Sequence, residues 1–400
     1  MKKFLEGSRA VAEIIKLCRP GVISAYPITP QTHIVEELAS MVANGELDSQ
    51  FVNVESEHSA ASVVLGAVAT GVRAYTASSS QGLILMSEVL FNIAGMRLPL
   101  VLTCVNRALS APINIWNDLQ DSMAVRDSGW LQFYAEDIQQ AADLHLLGYR
   151  IAEDANIMLP AMVCMDGYIL SHGIETVDIP EIDKVKKFLP DYQALYKLDP
   201  QKPLTLGCLA DPDYYMETRY ALQETLKESL ALINKRAQDF NKIFSRNTCG
   251  LIEEYKTKDA TDVIVALGSV CGTIKDVVDE LRAVGQKMGL LKIVVYRPFP
   301  AEEIYSALKH VERIAVIDKA ISLGGWGPLY TDIKAAFYGK EKTPQISGFI
   351  MGLGGRDIKI DSIKTVFKLM KEKPRDAEFI DIKRELLKDK YEDTTYGMPA

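Results

Sequence analysis

Two prolines flank a single hydroxyl residue in the stretch Ala25-Tyr26-Pro27-Ile28-Thr29-Pro30-Gln31-Thr32. Each proline fixes its own φ and pushes the residue before it out of the α region, so Thr29 is expected in a stiff turn. Three more polar groups could join it in chemistry. Glu57 opens an apolar helical run, the serines of Ser78-Ser79-Ser80-Gln81-Gly82 form a turn, and Asn106-Arg107 closes an apolar run. Taken singly, each has an ordinary reading. Thr29 or Thr32 could cap the helix behind the turn, Glu57 could complement a helix dipole, and Arg107 could be a solvated charge. Taken together they offer an anion clamp, a hydroxyl and a carboxylate around one mouth.

Their positioning depends on alternation along the chain. Short apolar runs at Val22–Tyr26, Phe51–Val54, Val72–Thr76, Leu100–Val105 and Ala161–Met165 read as strands. Helical patterns lie between them at Thr32–Asn44, Glu57–Thr70, Gln81–Gly95 and Ile138–Glu153. Such alternation predicts a parallel α/β sheet. Thr29 would follow the first strand, Glu57 the second, the serine turn the third and Asn106-Arg107 the fourth. All four then share the carboxyl edge, where open α/β folds bind ligands. Past Pro180 the sheet signal fades, and a densely charged helical pattern from Tyr214 to about Ser245 is expected to lie across a subunit or domain surface. Beyond it comes a second α/β segment. Its strands are expected at Val263–Leu267, Lys292–Tyr296 and Ile314–Asp318, with helices Ile274–Val284 and Ala301–Val311 between. The boundary falls at about residue 255. The last ten residues, ending Gly397-Met398-Pro399-Ala400, read as an exposed tail or a partner contact.

Composition narrows the function. Four hundred residues suggest two or three domains. A net charge of −8 argues against nucleic acid or an anionic membrane as the main partner. No apolar run reaches the ~18–20 residues that span a bilayer, and the N-terminus does not read as a secretory signal. A cytoplasmic protein is expected. Cys18, Cys104, Cys164, Cys208, Cys249 and Cys271 never pair as C-x-x-C, so this chain is not expected to ligate an iron–sulfur cluster or zinc. The five histidines show no ligand spacing either. There is no dinucleotide turn, phosphate loop or nucleophile elbow. Gly324-Gly325-Trp326-Gly327 matches no phosphate motif and reads as a tight turn. A mouth with a carboxylate and an arginine but no phosphate cradle suggests half of a shared site, completed by another chain.

Longer motifs carry a resemblance. Tyr26-Pro27-Ile28-Thr29-Pro30, Val54-Glu55-Ser56-Glu57-His58-Ser59-Ala60 and Thr76-Ala77-Ser78-Ser79-Ser80-Gln81-Gly82-Leu83 succeed one another in order. Asn106-Arg107-Ala108-Leu109-Ser110-Ala111-Pro112-Ile113-Asn114-Ile115-Trp116-Asn117-Asp118 continues the match, with Arg126-Asp127-Ser128-Gly129-Trp130 close behind and Tyr296-Arg297-Pro298-Phe299-Pro300 later. This set resembles the 2-oxoacid:ferredoxin oxidoreductases and, within them, the α subunits of multi-subunit pyruvate enzymes. The resemblance covers nearly the whole chain.

It implies an α/β architecture of two parts. Residues 1–255 would be a thiamine diphosphate-binding domain of the pyrimidine type, a parallel sheet with a helical C-terminal extension. Residues 256–400 would be a transketolase C-terminal-like α/β domain. The implied reaction is oxidative decarboxylation of pyruvate with coenzyme A to acetyl-CoA and CO₂, reversible, with electrons passing to ferredoxin. Thiamine diphosphate would be shared with a β subunit, since the Gly-Asp-Gly of the pyrophosphate half is missing and Asp166-Gly167 lacks its first glycine. Mg²⁺ and [4Fe-4S] clusters would sit on partner subunits, with γ or δ subunits completing the complex. By family position Glu57 would hydrogen-bond the cofactor's aminopyrimidine, with Tyr26 and Pro27 also contacting cofactor; Glu55 is the competing carboxylate. Arg107 would pair the substrate carboxylate, and Thr29 would donate to the carbonyl or carboxylate oxygen. Leu119 stands where family members often carry a His, which leaves 2-oxoisovalerate or 2-oxoglutarate as alternative substrates. The rival from another class is a thiamine-fold scaffold that assembles partners without catalysing.

Overall fold

The computed structural model describes residues 2–387, so the tail expected at the C-terminus lies outside the described residues. Strands buried on both faces form the centre of a seven-stranded sheet. Its spatial order is Val295–Arg297, Leu131–Tyr134, Ala161–Asp166, Val101–Asn106, Ala74–Ser78, Val22–Ile23, Gln50–Phe51. All neighbours pair parallel except the first two, which are antiparallel. A six-stranded sheet holds the second segment, in the order Glu378–Phe379, Gln345–Ile350, Arg313–Asp318, Asp262–Ala266, Met288–Ile293, Ile252–Tyr255. Only Ile252–Tyr255 runs antiparallel there. A small ribbon pairs Lys2–Glu6 with Ile174–Asp178.

The five expected strands of the first segment all form, some shorter or shifted by one or two residues. Two expectations are corrected. The run Lys292–Tyr296 is not one strand: Met288–Ile293 belongs to the second sheet, and Val295–Arg297 crosses to the edge of the first. The switch occurs at Val294, whose N–H donates to the Leu251 carbonyl while its own carbonyl accepts from Tyr134 N–H, at 3.0 and 2.8 Å. The helix expected over Gln81–Gly95 is two, Ser80–Leu85 and Ser87–Gly95.

The charged helical pattern forms a 33-residue helix, Pro212–Phe244. Asp211 caps it by accepting from Asp213 N–H, and Pro212 takes the first position, where the missing N–H costs nothing. Its buried stripe Leu222, Thr225, Ser229, Ile233, Ala237, Phe240, Phe244 keeps to the three-to-four spacing of one helix face. That stripe docks on helices Ile138–Ala152 and Ile182–Phe188, where the Phe188, Phe240 and Phe244 rings meet.

A buried polar chain ties two neighbouring strands of the first sheet to helix Ile138–Ala152. Tyr75 OH bonds Thr103 Oγ1, Thr103 Oγ1 lies 2.6 Å from His145 Nε2, and His145 Nδ1 lies 2.7 Å from the Ala141 carbonyl. Nδ1–H must donate to that carbonyl, and in the neutral ring Nε2 is left to accept from the threonine hydroxyl. Burial pushes the His145 imidazole down to about 4. A folded-state value below the unfolded one means that stability is fully present above about pH 6.5 and is lost as pH falls toward 4. The loss should amount to about 3 kcal/mol from this group. Urea unfolding of the wild type and of His145→Gln from pH 7.5 to 4 checks it: the variant should show a flatter acid limb.

Candidate functional site

Strand Val22–Ile23 ends at Ile23, and the chain then runs without regular structure into a tight turn at Thr29-Pro30. Gln31 N–H donates to the Ile28 carbonyl at 2.7 Å and closes that turn. Helix Thr32–Ala43 begins behind it, and its N-cap position is Gln31, without a side-chain cap bond. Neither Thr29 nor Thr32 is therefore the cap that the turn alone suggested. Thr29 is exposed, and its hydroxyl has no hydrogen-bond partner among the described residues. The buried Gln31 side chain does the anchoring, donating to the Ala77 carbonyl at 2.8 Å at the end of the neighbouring strand. Pro30 is wedged against Gly167, where a Cβ would meet Pro30 Cγ at 2.7 Å and collide with the Asn106 carbonyl. Only glycine lets those two strand ends approach so closely.

Arg107 comes just after strand Val101–Asn106 and is 6% exposed. Its Nη1 donates to the Thr29 carbonyl and its Nε to the Asn114 carbonyl, each at 2.9 Å. No carboxylate pairs with it among the described residues, so a buried cation is held in place by carbonyl dipoles alone. Burial draws it below its ordinary range, yet a guanidinium stays charged. The arrangement asks for an anion.

Asp121, which no sequence pattern singles out, organises this corner. Fully buried, it accepts the backbone N–H groups of Ser80, Arg107 and Ser122 at 2.9, 3.0 and 2.7 Å. It also accepts from the Asn106 side chain at 2.8 Å. One carboxylate thus fixes the serine turn relative to the Arg107 corner. Ser79 and Ser80 add bonds to the Val105 and Ala108 carbonyls.

Glu57 is the first residue of helix Glu57–Ala69, which Ser56 caps by accepting from Ser59 N–H at 3.2 Å. Glu57 is 7% exposed, and its carboxylate has no hydrogen bond or ion pair among the described residues. It lies against Gly82, where a Cβ would sit 2.5 Å from Glu57 Oε1 and 2.7 Å from Ser78 Oγ. Ser78 Oγ is itself buried without a partner among the described residues. Glu55 differs: it is exposed and its carboxylate accepts from Ser59 Oγ at 2.6 Å. The fold therefore brings Thr29 and Arg107 into contact and places Glu57 beside the serine turn. No hydrogen bond joins Glu57 to the other two. Tyr26 and Pro27 are exposed on the approach.

The second segment reaches the same edge. Lys319, after strand Arg313–Asp318, ion-pairs with Asp166 at 2.7 Å and bonds the Asn117 side chain. Asp118 accepts from Gly354 N–H, and Asn114 donates to the Gly354 carbonyl, at 3.0 and 3.1 Å. Leu119 is 2% exposed within the apolar core, so no polar side chain stands at that point. Sequence offers one signal for Lys319, its place just past a strand end; Asn117 lies in an irregular stretch and Asp121 in a five-residue helix too short to show a period. A cavity of about 520 Å³ lies elsewhere, lined by Arg126, Arg219, Lys227 and Arg297 among others.

Two family models together span most of the chain. One, described as pyruvate flavodoxin/ferredoxin oxidoreductase, thiamine diphosphate-binding, matches residues 14–237. The other, described as pyruvate:ferredoxin oxidoreductase core domain II, matches residues 260–363. The pyruvate synthase subunit PorA of Methanothermobacter thermautotrophicus is 49% identical over 383 residues, covering 96% of this chain and 99% of that one. The ketoisovalerate oxidoreductase subunit VorA of Pyrococcus abyssi is 41% identical over 391 residues, covering 96% and 98%. In fold the chain is similar to the 2-oxoglutarate:ferredoxin oxidoreductase of Magnetococcus marinus, solved with 2-oxoglutarate, coenzyme A and succinyl-CoA bound. The TM-score is 0.69 at 20% identity, and the match covers 93% of this chain and 65% of that one. This chain thus spans just under two thirds of that protein.

Proposed function

The chain belongs to the pyruvate:ferredoxin oxidoreductase family, and we propose that it is the α subunit of a heteromeric enzyme making acetyl-CoA and CO₂ from pyruvate and coenzyme A. The reaction is reversible and its electrons go to ferredoxin. The observation that carries the substrate class is Arg107: a guanidinium fixed by two carbonyls and lacking an anion fits a 2-oxoacid carboxylate.

The residues present fit the pyrimidine half of thiamine diphosphate. A buried carboxylate without a partner, an orphaned serine hydroxyl and a bare glycine Cα converge at Glu57, Ser78 and Gly82. When bound, thiamine diphosphate supplies the nucleophilic carbon and the electron sink for decarboxylation. Glu57 would hydrogen-bond the aminopyrimidine and favour the tautomer that can take up a proton. Arg107 binds and orients the 2-oxoacid carboxylate. Thr29, its hydroxyl free and its carbonyl tied to Arg107, donates to the substrate oxygen on which negative charge develops. Tyr26 and Pro27 border the cofactor's entry.

The diphosphate half, Mg²⁺ and the [4Fe-4S] clusters are assigned to a β subunit and further γ or δ subunits. The missing Gly-Asp-Gly supports this. The functional division falls at about residue 255, supported by family matches that end at 237 and resume at 260. A cytoplasmic site of action fits a chain in which no helix among the described residues is long and apolar enough to cross a membrane. A branched 2-oxoacid is the second reading, since a ketoisovalerate oxidoreductase subunit is 41% identical.

The co-purified complex, assayed against a panel of 2-oxoacids, should reduce ferredoxin fastest with pyruvate. A preference for 2-oxoisovalerate would move the assignment to the second reading. The chain expressed alone should be colourless, bind thiamine diphosphate weakly and reduce no dye with pyruvate. A brown protein with cluster absorbance would contradict the reading of its cysteines.

A further inference from the structure

The histidines, dispersed in sequence, are not all apart in the fold. Glu6 ends strand Lys2–Glu6, His33 is the second residue of helix Thr32–Ala43, and His172 lies between Ala161–Asp166 and Ile174–Asp178. One ligand atom from each lies within 4.8 Å of the other two. His33 Nδ1 is 2.6 Å from Glu6 Oε1, and the imidazole centroids of His33 and His172 are 4.6 Å apart. We propose that Glu6, His33 and His172 form a binding site for a divalent transition-metal ion of the zinc class.

Two imidazoles and a carboxylate are borderline-soft donors suited to zinc or cobalt, and three protein ligands leave a position for water. The frame that holds them is built independently of any ion. Glu6 pairs with Ile174 in the ribbon, Gly7 N–H donates to the Gly173 carbonyl at 3.0 Å, and Ser8 N–H to the Ser171 carbonyl at 2.9 Å. Those bonds fix Glu6 and His172 on adjoining backbone before His33 is added from the helix. Ser171 Oγ lies 2.7 Å from His172 Nδ1 and also accepts from Tyr168 N–H. With Nδ1–H donating to that oxygen, His172 would keep Nε2 as its ligating nitrogen, the outer-partner arrangement common at metal-bound histidines.

The site would clamp the N-terminal strand to the helix that starts three residues after Thr29. Its effect is on stability and on the positioning of that turn. Metal binding here depends on these three residues and is independent of the proposed reaction.

The test uses the full-length chain stripped of metal, with Zn²⁺ and Co²⁺ as probes. Wild type should retain one equivalent of Zn²⁺ through gel filtration. With Co²⁺ it should show visible absorption bands without thiolate charge transfer. Zn²⁺ should raise its melting temperature by a few degrees through preferential binding to the folded state. His33→Gln and His172→Gln should each lower affinity at least tenfold and remove the thermal shift, while their metal-free melting curves stay with wild type. Cys208→Ser should change nothing. A wild type that retains no Zn²⁺ overturns the proposal. So does undiminished binding in both histidine variants, or loss of the ion on substituting Cys208.

Discussion

Glu57→Gln should leave a folded chain and an assembled complex with most of its turnover gone, about 10²-fold or more if proton transfer is limiting. The amide matches the carboxylate in size, so packing against Gly82 and the Ser56 cap survive. What changes is chemistry: a neutral amide cannot hold a partner's proton as an anion can. Glu55→Gln is the control. Its carboxylate is exposed and already bonded to Ser59, so turnover should stay near normal. Gly82→Ala offers a route to the same loss without touching an ionisable group. The added methyl would meet Glu57 Oε1 at 2.5 Å and Ser78 Oγ at 2.7 Å, so the carboxylate must move. Steady-state kinetics on the three complexes decide the matter. Near-normal turnover in Glu57→Gln would move the role to Glu55 or elsewhere.

The placement of the four polar groups is legible in sequence because a parallel sheet obeys a simple rule: the residues just past each strand share one edge. Thr29, Glu57, Ser80 and Arg107 all sit past strand ends in the structure. Burial then separates Glu57 from Glu55 in a way two neighbouring glutamates in sequence cannot. The ties between the groups are not legible. Asp121 bonds the serine turn and Arg107 from a five-residue helix in an irregular stretch, where no periodicity points to a partner. Gln31 looks like a turn residue, yet its amide anchors the turn to Ala77. Strand Leu131–Tyr134 is too short to stand out as a periodic run. The run through Tyr296 reads as one strand because hydrophobicity does not change where hydrogen-bond partners do, at Val294. The Glu6, His33 and His172 cluster shows the same limit. Contacts between residues so far apart in the chain depend on how elements pack, and local patterns carry no record of that.

Arg107→Lys and Thr29→Val should separate binding from turnover. Lysine keeps the charge but offers a compact ammonium in place of a planar fork. It cannot bond the Thr29 and Asn114 carbonyls at Arg107's geometry and still present paired donors to a carboxylate. The apparent KM for pyruvate should rise, by about 1.5–3 kcal/mol of lost binding, with kcat affected less. Thr29→Val is a cleaner substitution than the sequence implies. Arg107 is held by the backbone carbonyl of Thr29, not by its side chain, so valine should leave that anchor standing. The substitution removes only a hydroxyl that has no partner among the described residues. A donor that strengthens as charge develops acts on the transition state more than on the bound substrate, so kcat should fall while KM moves little. Rapid-mixing measurement of pyruvate binding alongside steady-state rates tells the two apart. Intact KM in Arg107→Lys together with abolished binding in Thr29→Val would reverse the two roles. If neither substitution mattered, substrate would bind somewhere other than the mouth at these strand ends.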